Sequence, residues 1–528
     1  MTAADPSTGA ATDASGDIPT TSGDPTAATT SATTADETGE TAAPAAGLVV
    51  TASPESPRSG SSTQLTATLD GEPAAVEWAL VDGPATAGLT QEGVLSLPMS
   101  AGTWTVRATL KSDPQVSDEA VVVADFRGGL PVPGWGNDRD GLWRYVETGS
   151  DDQGVDLVAN AKNVFVLIRH TSPPHATLAS LVEATGAGQP GFGQGGVREF
   201  KGPGETRIDP RHLGLAPDRM YVTGSVILDS VLAVADLESG LASDAFGLYD
   251  PGLSFGFPAA DPTGVYIGLD DSGGTVGARH LLASGALDMS WGGGNVDFVV
   301  PAAWKSTWDP VKESLVLRDL AVDADGRVLA LVTSYDLDNT GRVGVLFCFD
   351  GDGDLDPAFG LAGAVVWGLD DEAGTSPDRM TIGEDGDIVV VLTHYGSWFA
   401  RRFTGDGDPV SEWGDDSYVT HEYKRDIGMA AQTAGVDAAI MPGGYIVFLV
   451  YIDHTEISGL VRYTPEGKLD ADFGDPDADG DGWSLVTQNA PVRIAAGLDG
   501  RVFALSQFHY SDDMVTEDEV WVTALHSY

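Results

Sequence analysis

An aromatic residue followed by glycine recurs along residues 126–528 and constrains the fold more than any other feature. Successive pairs are 45 to 68 residues apart, with a mean of about 56. Self-similarity at such a period is typical of repeat architectures. Phe255-Gly256 is an alternative for the third of the seven pairs, which are Trp135-Gly136, Phe192-Gly193, Phe246-Gly247, Trp291-Gly292, Phe359-Gly360, Trp413-Gly414 and Phe473-Gly474.

A second repeated element, a turn followed by a strongly apolar run, alternates with the first. Asp-Gly and Gly-Gly turns between such runs predict β-hairpins. Each repeat therefore predicts a strand, a hairpin, another strand and a tip, which is one four-stranded sheet. The seven segments are NAKNVFVLI, APDRMYVTG, PTGVYIGL, DADGRVLALV, EDGDIVVVL, MPGGYIVFLV and LDGRVFALS.

The two ends of this region complement each other. After the seventh hairpin at Asp499-Gly500 the sequence runs to EVWVTALHSY, where an eighth tip would begin. The matching tip and strand occur at the start of the region, in LPVPGWGNDRDGLWRYV. This arrangement predicts a seven-bladed β-propeller closed by both ends of the domain, because radial sheets leave only short, protected edges. Six or eight blades would follow if one repeat, such as the short third interval, is miscounted.

The repeats resemble the delta-60 repeat family of bacterial propeller-like proteins, with its "DG.LD..FG..G.V" tip. Three tips depart from the pattern, with Trp at positions 135, 291 and 413. The resemblance implies a cell-surface or secreted β-propeller and no established activity. The matching residues are Asp354, Leu355, Asp356, Phe359, Gly360 and Gly363 in one repeat, and Leu469, Asp470, Phe473 and Gly474 in another.

Residues 47–125 show a different pattern, short alternating apolar runs broken by turn residues. Alternation of this kind predicts an all-β sandwich. The order "QLTATLDG…VEWAL…GVLSLP…AGTWTVRAT" resembles bacterial immunoglobulin-like domains, which implies a spacer or, as the alternative, an adhesive module. The residues expected to face inward are Leu65, Ala67, Leu69, Val76, Trp78, Val106 and Ala108.

Residues 1–46 contain 12 Thr, 13 Ala and seven acidic residues, but no Lys, Arg or aromatic residue. Such a composition predicts a disordered tether, since it cannot bury enough apolar surface to offset the entropy of ordering. It resembles the tethers that follow the lipidated Cys of bacterial surface lipoproteins, particularly those of myxobacteria. A lipid anchor on a preceding N-terminus is therefore an expectation by analogy, and an ordinary disordered leader is the alternative.

The formal net charge of −51 argues against nucleic acid or an anionic membrane surface as a partner. The single Cys excludes an intramolecular disulfide framework. No apolar run approaches the roughly 20 residues of a membrane span, so no transmembrane segment is predicted. We expect an exported monomer at the extracellular or outer-membrane surface of a bacterium.

Calcium is the cofactor that the sequence favours. Alternating Asp residues with Gly480 at the sixth position are typical of an EF-type loop, although position 12 is Val486 rather than a bidentate Glu. A third, weaker candidate comprises Asp336, Asp338 and Thr340. The alternative is that these Asp residues only shape turns. The two main candidate sites are Asp475, Asp477, Asp479 and Asp481, and Asp350, Asp352, Asp354 and Asp356.

Other chemistry-bearing residues give weaker signals. His170 and His175 flank Pro173 and Pro174, which predicts a solvated loop rather than a metal site. Cys348 lies in an apolar run and is expected to be a packed core residue. No nucleophile elbow, Walker motif or dinucleotide-binding glycine pattern is evident, and catalytic residues remain unassigned.

These observations predict a non-enzymatic extracellular protein whose propeller loops bind a protein or a glycan. Trp304 and Trp308, in the loop PAAWKSTWDP, are the first candidates for ligand contact, with plugging of a blade edge as the alternative. A secreted glycan-active hydrolase or lyase using channel carboxylates is the competing hypothesis. A third is a structural surface component that packs against its neighbours.

Overall fold

The computed structural model describes most of residues 47–526. The described ranges are 47–53, 62–82, 88–96, 102–124, 132, 135–137, 141–145, 152–171, 174–202, 206–226, 229–251, 253–271, 276–304, 315–335, 342–367, 376–394, 397–415, 417–420, 433–452, 457–470, 473–474, 483–487, 490–497, 500–511 and 516–526. Within these ranges the structure is all-β, and its helical elements are two 3₁₀ turns, Gly292–Gly294 and Ala302–Trp304. No described helix is long and apolar enough to cross a membrane.

The first eight strands form two antiparallel sheets around one core. Trp78, Trp104 and Leu95 are buried in this core, which both sheets supply. The predicted inward-facing residues are buried as expected, with Leu69 only partly buried, whereas Trp104 was not anticipated. The first sheet contains β1 (Leu48–Ser53), β2 (Ser62–Leu69), β3 (Glu72–Pro73), β5 (Gly88–Leu89) and β6 (Val94–Ser96), and the second β4 (Val76–Asp82), β7 (Gly102–Leu110) and β8 (Ser117–Ala124).

The remaining strands form seven further antiparallel sheets, each following the previous one along the chain. The first contains β10 (Asp152–Ala159), β11 (Asn163–Thr171), β12 (Pro174–Val182), β13 (Val197–Gly202) and β14 (Thr206–Arg207). The second contains β15 (Asp209–Leu215), β16 (Arg219–Val226), β17 (Asp229–Asp236) and β18 (Ala242–Pro251). The third contains β19 (Leu253–Ala260), β20 (Gly264–Asp271), β21 (Val276–Leu282) and β22 (Val296–Asp297).

The later sheets follow the same order. The fourth contains β23 (Leu315–Val322), β24 (Val328–Tyr335), β25 (Arg342–Phe349) and β26 (Ala364–Trp367). The fifth contains β27 (Ser376–Ile382), β28 (Ile388–His394), β29 (Ser397–Phe403) and β30 (Tyr418–Val419), and the sixth β31 (Thr433–Ile440), β32 (Ile446–Ile452), β33 (Ile457–Tyr463) and β34 (Trp483–Thr487). The seventh contains β35 (Ala490–Ala496), β36 (Arg501–Ser511), β37 (Thr516–His526) and β9 (Leu142–Tyr145).

The first strand of each sheet contacts the first strand of the next, and β35 of the seventh sheet contacts β10 of the first. We call these seven strands, β10, β15, β19, β23, β27, β31 and β35, the inner strands. Apolar clusters lie between successive sheets, and one of them joins Phe503 and Val522 of the seventh sheet to Val166 of the first. The arrangement is that of a β-propeller, with its core divided among the spaces between sheets.

The aromatic–glycine pairs connect neighbouring sheets. Phe359 is fully buried, and the N–H of Gly360 donates to the carbonyl of Asp406 in the next sheet at 2.7 Å. The turn there contains Gly407, where a Cβ would lie 2.9 Å from the Phe359 ring. Equivalent N–H donations run from Gly136 to Thr185, from Gly292 to Asp352 and from Gly414 to Glu466.

The third predicted pair departs from this pattern. Phe246 and Gly247 lie within the ten-residue strand β18, and Phe255 and Gly256 lie in the inner strand β19. Neither pair therefore occupies a tip. In the second sheet, the long outermost strand β18 occupies the segment where other repeats have a tip with its aromatic plug. The sequence match alone therefore misplaced this repeat.

Candidate functional site

Each inner strand contains one register shift at an equivalent place, between Gly154 and Asp156 in β10 and between Gly435 and Asp437 in β31, for example. A β-bulge of this kind turns a side chain away from the regular ladder. The side chains at these bulges contact one another across the inner strands. We call the set the channel ring: Asp156, His212, Phe257, Asp319, Arg379, Asp437 and Arg493.

The three carboxylates of the channel ring each bind two neighbouring inner strands. Asp156 accepts the N–H of Leu157 at 2.9 Å with one oxygen and the N–H of Leu213 in the next sheet at 2.8 Å with the other. Asp319 and Asp437 repeat this geometry, accepting from Met380 and Ile494 of the following sheets at 3.1 Å. These hydrogen bonds satisfy backbone donors that inner strands would otherwise leave unpaired.

Among the described residues, the hydrogen bond from one inner strand to the next is missing between the second and third sheets, and the sequence there accounts for the difference. The inner strand before it carries His212 in place of an aspartate, so no carboxylate faces the position after its bulge. That position is Pro258, which has no N–H to satisfy. The sequence of one sheet is therefore matched to the bulge residue of the sheet before it.

Arg493 joins two of the carboxylates. Its Nε donates to Asp156 at 2.8 Å, and its Nη1 lies 3.4 Å from Asp437. Burial raises the pKa of Asp156, but Arg493, His212 and the Leu213 N–H outweigh that effect and hold it below its usual value. Burial raises the pKa of Asp437 above its usual value despite the same arginine.

The other part of the ring is aromatic. His212 lies against Phe257, with ring centroids 4.0 Å apart, and the Arg379 guanidinium lies 4.6 Å from the centre of the Phe257 ring. Burial lowers the pKa of His212 to about 3, so its imidazole is neutral. Burial likewise lowers the pKa of Arg379, which donates to the carbonyl of Arg318 at 2.7 Å.

A cavity of about 520 Å³ lies along the inner strands, with six of the seven ring residues, all but Arg379, in its lining. Beyond the ring, each inner strand adds one partly exposed aliphatic side chain three positions further along the chain. We call these the aliphatic collar: Ala159, Leu215, Ala260, Val322, Ile382, Ile440 and Ala496. A second cavity of about 330 Å³ shares Ile382, Ile440 and Ala496 and reaches the hairpin turns at Gly383 and Gly443.

The tip with Asp350, Asp352, Asp354 and Asp356 uses carboxylates to shape its turn. Asp350 accepts the N–H groups of Asp352 and Asp354 at 3.0 Å, and Asp356 faces Arg327 at 3.3 Å. In the described part of the chain no group of three or more His, Cys, Asp or Glu residues could hold a metal ion. Calcium binding stays a prediction, and Asp475, Asp477, Asp479 and Asp481 lie outside the described residues.

Trp304 ends the second 3₁₀ turn and packs partly against the core of the third and fourth sheets. Its indole N–H donates to the carbonyl of Leu361 at 3.2 Å, which agrees with the edge-plug alternative. Trp308, like Asp336, Asp338 and Thr340, lies outside the described residues. Cys348 is fully buried as expected, and burial raises the pKa of its thiol to about 12.

The prediction of a solvated loop at His170 and His175 is wrong. Both side chains are buried and stack with ring centroids 3.8 Å apart. The pairing of Thr171 with Pro174 extends strands β11 and β12 through this segment. His170 lies 2.7 Å from Asp152 and 2.8 Å from Thr177, so the pair belongs to the sheet interior.

Comparison with known proteins finds similarity in solved structures alone, at low identity. The chain is similar to the WD40 domain of Toxoplasma gondii coronin, at 10% identity over 75% of this chain and 88% of that one, with a TM-score of 0.37. It is also similar to the Dos1 propeller, at 11% identity over 74% of this chain and 94% of that one, with a TM-score of 0.38. A third similar structure is the polysaccharide lyase Uly1, at 12% identity over 70% of this chain and 90% of that one, with a TM-score of 0.39. No protein-family model and no curated protein matches the chain.

Proposed function

We propose that the chain is a non-enzymatic binding or scaffold protein of the bacterial cell surface or exterior. In this proposal the seven sheets are the blades of one delta-60-type propeller, closed by pairing of β37 with β9. The immunoglobulin-like domain is its spacer, and residues 1–46 are its tether. The acidic excess and the Thr- and Ala-rich first 46 residues support an exported location. The partner is a protein or a glycan bound by the propeller loops.

The observation that carries the non-enzymatic proposal is that each channel carboxylate is hydrogen bonded to the backbone of two adjacent inner strands. Asp156 and Asp437 share Arg493, and all three ring carboxylates accept backbone N–H groups from two sheets. A general acid or base must exchange a proton with a substrate, which requires an oxygen free to approach it. Carboxylates that hold inner strands together are poorly suited to that role.

A glycan-active hydrolase or lyase is the second candidate, and one observation favours it. Asp156 and Asp437 lie in one cavity, and their environments move their pKa values in opposite directions. Carboxyl pairs with separated pKa values are typical of acid–base catalysis. If this candidate is correct, Asp437 is the proton donor, and its substitution by Asn abolishes turnover.

A screen of the intact chain against immobilised glycans and bacterial surface proteins tests both functions. We expect retention of a partner with no change in the glycan chain length, and the same retention by the Asp437→Asn variant. Release of shortened or unsaturated glycan products by the native chain, lost in Asp437→Asn, would instead establish the enzyme. Asp218→Asn, an exposed substitution outside the channel, is the control for charge removal.

A further inference from the structure

Asp70 and Gly71 form the two-residue turn between β2 and β3 of the small sandwich. Leu69 pairs with Glu72 across this turn, so these two residues alone connect the strands. Both have left-handed backbones, with φ of 55° for Asp70 and 87° for Gly71. A positive φ at both central positions is typical of the type I′ turn, in which Asp-Gly is a favoured sequence.

The Asp70–Gly71 peptide is open to solvent. Both residues are exposed, and a Cβ added at Gly71 would meet nothing within 4 Å. Among the described residues, none bonds to the Asp70 carboxylate, and none accepts a hydrogen bond from the Gly71 N–H. The closing hydrogen bond of a β-turn joins its first and last residues, which leaves the N–H of Gly71 outside the ladder.

Five further Asp-Gly pairs are described in full, all in the propeller, and each of them is tied down. In four pairs the glycine N–H donates to a carbonyl three residues earlier, at 2.9 to 3.1 Å. In the fifth, Asp350–Gly351, the carboxylate accepts the N–H groups of Asp352 and Asp354 at 3.0 Å. The four pairs with a donating glycine are Asp325–Gly326, Asp352–Gly353, Asp385–Gly386 and Asp406–Gly407.

A free carboxyl group beside a free glycine amide can cyclise. The Gly71 nitrogen attacks Cγ of Asp70, and glycine has no side chain to hinder the approach. The amide hydrogen and a carboxyl hydroxyl leave together as water, which forms a five-membered succinimide. Water then adds to one of its two carbonyls, and nothing is oxidised or reduced. Addition at Cγ restores aspartate, whereas addition at the main-chain carbonyl leaves the chain running through Cβ and Cγ, which is isoaspartate.

We propose that Asp70 is a site of spontaneous conversion to isoaspartate, and that the fold favours this conversion over that of the five propeller pairs. The product has the mass and the net charge of the native chain but one extra backbone atom in the turn. A connection of two residues cannot absorb that atom without disturbing the pairing of Leu69 with Glu72. The inference does not depend on the proposed function, which concerns the propeller loops.

The consequences of the conversion should stay within the turn. Strand β3 contains only Glu72 and Pro73, and the proline has no N–H to donate to β2. The fully buried core residues Leu95 and Trp104 lie on other strands, β6 and β7. We therefore expect the converted chain to stay folded, so that isoaspartate accumulates in it.

Ageing of the full chain in warm, neutral buffer, followed by digestion with the endopeptidase Asp-N, tests the proposal. This enzyme cuts before aspartate but not before isoaspartate, so conversion at each pair appears as a missed cleavage. We expect missed cleavage at Asp70 to accumulate faster than at any propeller pair by about fivefold or more, the rate equivalent of releasing one hydrogen bond.

Ageing the same chain in urea isolates the contribution of the fold. All six pairs consist of the same two residues, so we expect their conversion rates to become comparable once the chain is unfolded. Asp70→Glu keeps the charge but would have to form a six-membered imide, and it should abolish conversion at this turn. Asp385→Glu makes the same change in a propeller hairpin and should leave conversion at Asp70 unchanged.

Three results would overturn the proposal. The first is normal cleavage at Asp70 after ageing of the folded chain. The second is conversion of any propeller pair as fast as that of Asp70 in the folded chain. The third is an excess at Asp70 that persists in urea, since its cause would then be the local sequence rather than the fold.

Discussion

Two turn glycines have the same backbone conformation but differ in the space available for a side chain. Gly386 and Gly407 both have left-handed backbones, with φ of 84° and 83°, and both lie in the fifth sheet. A Cβ at Gly386 would meet nothing within 4 Å, whereas one at Gly407 would press on the Phe359 ring and on Val365. The first glycine is needed for its turn alone, and the second also for the contact between sheets.

This difference predicts unequal costs for the same substitution. Gly386→Ala should destabilise the chain only by the strain of a left-handed alanine, about 1 kcal/mol. Gly407→Ala should cost about 2 kcal/mol more, because the added methyl must displace a fully buried ring. Urea unfolding of both variants measures the difference. Equal losses would show that the aromatic–glycine pairs do not connect the sheets.

The aromatic–glycine pairs could be found from sequence because both residues have strict local requirements. The plug must be large and apolar, and the glycine must let its own N–H approach the neighbouring turn. Trp135, Trp291 and Trp413 fill the plug position as Phe does, so the departures from the repeat pattern leave the packing intact. The burial of His170 and His175 could not be predicted from sequence, because it depends on sheet pairing rather than on their neighbours in the chain.

At the scale of single strands, the bulge carboxylates act as clamps between inner strands. Asp156 is almost fully buried and connects β10, β15 and β35 through two backbone N–H groups and Arg493. Removing one partner of a buried ion pair leaves the other charge uncompensated. The clamp therefore has a large effect on stability relative to an exposed pair.

We expect Asp156→Asn to destabilise the chain by about 3 kcal/mol in urea unfolding. Asp209→Asn, which breaks a half-exposed pair with Arg169, should cost less than about 1 kcal/mol. Because the folded pKa of Asp156 is depressed below 3.8, its contribution is present above that value and is lost as pH falls through the folded pKa. The native chain should therefore lose more stability in acid than Asp156→Asn does. Equal costs for the two variants would contradict the clamp.

The channel ring was not found from sequence, although a signal for part of it exists. Asp319, Arg379, Asp437 and Arg493 each stand seven positions before the glycine of their hairpin turn, at Gly326, Gly386, Gly444 and Gly500. Periodicity alone treats a charged residue in an apolar strand as an interruption. The bulge that brings it to the channel is a property of strand pairing, and the first two repeats have Asn163 and Arg219 where the others have that glycine.

At the scale of the whole molecule, described Asp residues have two structural roles, in turns and between inner strands. Many Asp residues shape turns, as Asp350 does by accepting two N–H groups, and others hold inner strands. The hairpins, the repeated sheets and the inward-facing residues of the small sandwich could be predicted, because each follows from local alternation and turn chemistry. The channel ring could not, because its side chains are brought together from seven separate segments.

The pairing of β37 with β9 is the contact on which a closed propeller depends. Trp521 pairs with Arg144 and Val522 with Trp143, and the Arg144 guanidinium lies 4.7 Å from the centre of the Trp521 ring. The apolar cluster between the seventh and first sheets includes Val520, Val522 and Ala524 of the same strand. In the proposed closed propeller, this strand ladder and part of the core would carry the closure.

Deleting residues 519–528 tests this closure most directly, with unfolding followed by tryptophan fluorescence and by calorimetry on the otherwise intact chain. We predict that the cooperative transition of the propeller is lost, because the deletion removes the partner of β9 and part of the cluster that joins the seventh sheet to the first. An unchanged melting temperature and an unchanged unfolding enthalpy would contradict a ring closed by both ends of the domain.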